Sequence, residues 1–185
     1  MATENEEPEE DCLDEEELDA LELKLVLEWL QTVPTSEWHV LAHEWNYDNS
    51  KDVLHWLVDN PRTEKATALM IYWMSGARFH KQYGSAEEAR AVASYLGGKW
   101  EFIHELEARY LAGFYTAGTV GFDPRHDGFS GPNGYDWTQD YREYPPKSPL
   151  PAEMEQAVPG IQPQSDVVYI EGIPEHIWEQ LEKYF

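Results

Sequence analysis

Cationic side chains are scarce in this chain. Its 185 residues include 13 Lys and Arg against 36 Asp and Glu, a formal charge of -23. A surface so charged repels nucleic acid and anionic membrane, so neither is expected as a partner. Cysteine is nearly missing too: Cys12 is the only one, no intrachain disulfide can form, and a reducing compartment suits the chain. Glu9, Glu10, Asp11 and Asp14 surround Cys12 and disfavour its thiolate, which makes it a poor nucleophile. No apolar run approaches the roughly 20 residues of a spanning helix. The opening MATENEEPEED lacks the basic and apolar regions of a secretory signal, and a soluble cytoplasmic protein is expected. There is no G-x-S-x-G elbow, no P-loop and no G-x-G-x-x-G. Carboxylates are so common that spacing alone nominates no general acid or base. The expectation is a protein without catalytic residues or cofactor.

What the chain does have is acid at one end and aromatic mass throughout. Residues 1–28 hold thirteen acids against the single Lys24. Residues 1–11 carry too little apolar surface to offset the entropy of ordering them and read as a disordered acidic tail. Residues 12–185 read as one mainly α-helical, compact multi-helix domain, with eight Trp to fill its core.

Within the helical core, 12–116, Leu18, Leu21, Leu25 and Trp29 recur at helical spacing until Pro34. Thr35 or Ser36 can cap a second helix bearing Trp38, Leu41, Ala42 and Trp45. A third has Val53, Trp56 and Leu57 inward and ends at Asn60-Pro61, and Thr63 can cap a fourth. That fourth helix, apolar on nearly every side from Ala66 to Met74, should lie among the others. Ser85 and Glu88 make a capping box for a helix that Gly97-Gly98 should break or kink, and a last stripe runs from Trp100 to Phe114.

Residues 117–166 are rich in Gly, Pro, Asp and Tyr with little periodicity, an irregular excursion either pinned by its aromatics or partly mobile. The run 167–170 reads as one short strand, and a final helix follows Pro174 with Ile177, Trp178 and Leu181 inward.

Two constellations invite metal. His39 and His43 stand four apart on one predicted helix, a spacing that lets both imidazoles reach one ion, but Glu44 follows the second His and no third ligand is nominated. The structural alternative places both rings between helices. The segment from Asp123 to Asp136 offers oxygens and tight turns, yet its spacing fails the EF-hand pattern and turn chemistry accounts for it. No metal is expected, with His39 and His43 as the alternative.

The stretch from Trp38 to about Tyr83 resembles the small bacterial domain of unknown function 4274, on two motifs. One is the turn Asn46-Tyr47-Asp48-Asn49-Ser50, reached through Trp45 and similar to that family's N-W-D-D-G; the other is the apolar helix Ala66-Thr67-Ala68-Leu69. Tyr47 replaces the Trp, and Asn49 and Ser50 depart from D-G. The resemblance implies a small protein encoded beside a bacterial toxin, with an immunity role.

Charge leads to a compatible expectation: an immunity-type inhibitor that occludes the basic active-site cleft of a cognate protein toxin by a fast, salt-sensitive association. The expected contacts are aromatics beside acids, namely Tyr135, Asp136, Trp137, Asp140 and Tyr141, together with Tyr47 and Asp48 of the turn. The same side chains could instead fold the excursion onto the core or cap helices. Two rival functions remain: a metal-dependent hydrolase using His39 and His43, and an acidic adaptor or regulatory subunit acting through its tail. The sequence does not fix an oligomeric state.

Overall fold

The computed structural model describes residues 13–48, 50–131 and 133–184. The tail expected over 1–11 and the domain start at 12 lie outside them, as does Asn49 of the turn. Eight α-helices and one two-stranded sheet make up the regular structure of the described residues, a mainly α fold as the sequence predicts.

Helix α1 (Glu15–Leu30) starts from a reciprocal cap. The Asp14 carboxylate accepts from the Glu17 amide at 2.9 Å and the Glu17 carboxylate accepts from the Asp14 amide at 3.1 Å. Helices α2 (Thr35–Glu44), α3 (Asp52–Asp59) and α4 (Lys65–Met74) follow. Every residue of α4 from Ala66 to Trp73 is buried, so the helix without a polar face is the central one. The threonines expected to cap α2 and α4 do not, because their hydroxyls serve other partners. Thr35 lies inside α2 and donates to Glu64 Oε1 at 2.7 Å, and Thr63 donates to the Leu57 carbonyl. Lys51 precedes α3 without a side-chain cap of its own, and the Ser50 hydroxyl accepts from the Asp52 amide, the first of the helix, at 3.3 Å.

A corner at Gly76 leads into α5 (Ala77–His80), and Ser85 caps α6 (Ala86–Val92) as predicted, accepting from the Glu88 amide at 3.2 Å. The break expected at Gly97-Gly98 comes earlier, at 93–95, and both glycines sit in the first turn of α7 (Leu96–Leu111). The Arg90 guanidinium crosses Gly97 so closely that a Cβ there would lie 2.8 Å from its Nε. One hydrophobic core runs from Val26 to Leu181, and Trp38, fully buried within it, donates to the Leu30 carbonyl at 2.8 Å.

The excursion is folded onto this core by backbone as well as rings. The Lys65 amide donates to Thr116, the Thr116 amide to Thr63, and Phe122 and Val158 exchange two bonds of 2.9 Å. Buried Glu64 accepts from the Val120 amide at 2.9 Å, and Val120, Phe122 and Met154 enter the core. The single strand expected over 167–170 is one arm of a minimal hairpin: β1 (Tyr169–Ile170) pairs antiparallel with β2 (Ile173–Pro174). Glu171 and Gly172 turn between them at φ 52° and 87°, the double positive φ of a twisted two-residue hairpin. Helix α8 (Glu175–Leu181) then seats Ile177 and Leu181 in the core, with Trp178 half-buried against it.

Candidate functional site

The turn after α2 and the corner after α4 face a common cavity of about 570 Å³, in the size range of small-molecule sites. Tyr47, Asp48, Lys51 and His55 line it from the turn and α3. Ser75, Gly76, Phe79 and His80 contribute from the corner and α5, and Tyr95, Lys99 and Phe102 from α7 and the residue before it. Tyr141 closes on it from the excursion.

Tyr141 has a left-handed backbone, φ 56°, at which a bulky residue is strained. Its ring lies over Gly76, where a Cβ would come within 3.3 Å of it, and Gly76 itself has φ 70°. Phe79 packs on the Tyr141 ring at 5.5 Å between centroids.

The charges of this cavity invert those of the molecule. Lys51 and Lys99 project ammonium groups from two elements, and neither forms an ion pair among the described residues. Each rests over an aromatic ring instead, Lys51 5.5 Å from the centroid of Tyr47 and Lys99 5.3 Å from that of Tyr95. Burial, and then the Lys99 charge, bring the Lys51 ammonium down to about 8, with Asp48 acting in the opposite direction. His80, 5% exposed, is held down to about 4 by burial and by Lys99, His104 and Lys51, so it is neutral at pH 7. Its Nδ1 and the Ser75 hydroxyl are buried without a hydrogen-bond partner among the described residues. Buried polar atoms are ordinarily satisfied, so two orphans in one wall set it apart.

The stretch that builds all of this except Tyr141 matches a known family model, the Domain of unknown function (DUF4274), over residues 33–111. In that stretch the chain is similar to DUF4274. No curated protein and no solved structure matches the chain.

The DUF4274-like turn thus lies on the cavity. Tyr47 donates its hydroxyl to the Ala42 carbonyl at 2.9 Å, and burial raises its phenol. Asn46 accepts from the Asp48 amide at 3.0 Å, leaving the Asp48 carboxylate exposed at the rim. Of the side chains expected to contact a partner, Tyr47, Asp48 and Tyr141 come together here and Tyr135, Asp136, Trp137 and Asp140 do not. Those four form a cluster of their own. Tyr135 donates to Asp140 and packs edge-on to Trp137 at 4.7 Å, Trp137 donates to buried Asp127, and Asp136 caps the 3-10 turn Trp137–Gln139. Tyr135 still leaves 43% of its surface exposed.

His39 and His43 are taken up separately. His39 is fully buried in the DUF4274-like stretch with Nδ1 on Thr67 Oγ1 at 2.9 Å, and burial, with His43 second, brings it down to about 3. His43 stacks on Phe129 at 4.0 Å and bonds Glu44 at 3.0 Å. Among the described residues no three His, Cys, Asp or Glu side chains gather closely enough to share a metal ion. Sequence reasoning missed Lys51, His80 and Lys99, which lie on three elements whose meeting no local pattern announces. The one available signal was the signature turn, which ends immediately before Lys51.

Proposed function

We propose that this protein is a docking inhibitor that covers a cationic cleft on a protein toxin. The observation that carries the reading is the charge state of α1. Glu15, Glu16, Glu17 and Asp19 are exposed on it, and none of its acids is ion-paired among the described residues. Burial and the neighbouring Asp19 raise Glu22 above the usual carboxylate range. Uncompensated like charge of this kind is relieved by a cationic surface, and the same field raises the encounter rate by about 10- to 1000-fold. Exposed Tyr135, with Asp140 fixed beside it, supplies a second contact of aromatic and acid. The toxin as the partner follows from the resemblance of the turn and the central helix.

The test is co-expression with the effector domains encoded beside its gene. Growth should be restored by the protein, the two chains should co-purify, and the complex should dissociate as salt rises. The triple variant Glu15→Lys, Glu16→Lys, Asp19→Lys should slow association by about tenfold or more with a smaller change in dissociation. Failure of every adjoining effector to be neutralised overturns the toxin assignment, and a salt-insensitive complex overturns the electrostatic one.

A further inference from the structure

A chain with 36 acids can pair its few cations almost anywhere, and five of them, Lys81, Arg90, Arg109, Arg125 and Lys147, do pair with carboxylates. Lys51 and Lys99 are placed in this cavity over aromatic faces, with Asp48 at the rim acting against the repulsion that Lys51 feels from Lys99. Convergent charge of one sign in a concave site focuses field and concentrates the opposite ion. The residues are lysines rather than arginines, compact point charges that suit a multi-oxygen phosphate shared between two elements better than the flat two-oxygen face of a carboxylate. Beside them stand the unpartnered Nδ1 of His80, in a side chain 95% buried by its 5% exposure, and the unpartnered Ser75 hydroxyl. The lining is also aromatic: the Tyr47 and Tyr95 rings carry the ammonium groups, and Phe79, Phe102 and Tyr141 add apolar ring surface. Strained Tyr141 lies over a glycine where a side chain would be both strained and tight, so backbone conformation is committed to this wall.

We propose that the cavity is a binding site for a small phosphorylated aromatic molecule of the nucleoside phosphate class. The phosphate bridges Lys51 and Lys99, and the ring lies against Phe79 and Tyr141. This site is independent of the docking reading, since it uses none of the α1 acids.

Calorimetric titration of the full chain with AMP, ADP, inorganic phosphate, adenosine and benzoate tests it. The expected result is one-to-one binding of AMP or ADP with a dissociation constant below about 1 mM, at least about tenfold tighter than inorganic phosphate, adenosine or benzoate. Lys51→Met and Lys99→Met should each weaken it about tenfold, with urea midpoints confirming that the variants remain folded. Tyr141→Ala, which removes a ring from the wall and no charge, should weaken the nucleotides and leave inorganic phosphate unchanged. The proposal is overturned by no binding of any of these up to about 1 mM, by nucleotide binding that ignores both lysine variants, or by inorganic phosphate binding as tightly as AMP, an adventitious ion only. Benzoate binding more tightly than AMP overturns the phosphate class in favour of a carboxylate. None of these outcomes bears on whether the α1 surface docks a toxin.

Discussion

Helix α1 and the cavity beneath the DUF4274-like turn are both regions of unpaired charge, with opposite signs and different surroundings. On α1, Glu15, Glu16, Glu17 and Asp19 face solvent, where their mutual repulsion is screened by salt and costs little. In the cavity two ammonium groups are half-buried beside each other and lean on aromatic faces. The difference teaches that the net charge of -23 is a poor guide to any one site on this molecule. A diffuse anionic surface suits fast docking to a macromolecule. A concave pair of cations suits a small anion.

A third cation sharpens the contrast. Lys81 is 1% exposed and bonds Glu107 Oε2 at 2.5 Å, on a carboxylate that also accepts from the Tyr72 hydroxyl at 3.0 Å. Lys81→Ala leaves Glu107 without its charge partner and should cost about 3–5 kcal/mol in urea unfolding. The comparison breaks if Lys99→Met costs as much. With no ion pair to lose and with Lys51 relieved of a like charge, Lys99→Met should stay within about 0.5 kcal/mol.

Between these extremes lies the response to acid. The folded protein holds His39 and His80 neutral, at about 3 and about 4, while the unfolded chain takes up protons near the unperturbed value of 6.5. Their stabilising contribution is complete above pH 6.5 and is lost as pH falls towards 4 and then 3. Urea midpoints measured from pH 7 to 4 should fall, and less steeply in His80→Gln. The smallest effect belongs to α1. Raised Glu22 binds its proton more readily folded than unfolded, so its ionised form disfavours the fold above its own pKa, and that cost vanishes as pH falls through that value towards 4.5. Glu22→Gln should raise the midpoint slightly at pH 7 and have no effect at pH 4.

The helices from α1 to α4 were legible because each is marked by apolar spacing and a boundary residue: Trp38, Leu41, Ala42 and Trp45 on α2, the all-round apolar run on α4. Caps were less legible, since Thr35 and Thr63 find distant partners that no local window shows. Gly97-Gly98 misled for a related reason. Gly97 lies under the Arg90 side chain and Gly98 faces open space, and neither marks an end of helix. The hairpin's second strand was hidden because β2 is two residues long and includes the Pro that introduces α8. At the site, Tyr47 and Asp48 were visible through the signature turn and Tyr141 through its aromatic neighbourhood. Lys51, His80 and Lys99 were not, because a lysine near a helix end and a histidine in a short helix carry no periodic mark; only their convergence in space distinguishes them.

The last consequence comes from Tyr141. It belongs to the excursion, thirty residues past the end of the matched stretch, yet its ring finishes the wall that the six helices of that stretch begin. The roof and the basin are therefore separable parts. A sister domain with the same helices but another excursion would keep the lysine pair and change what fits above it, so one scaffold could be retuned from one occupant to the next by exchanging a single covering segment.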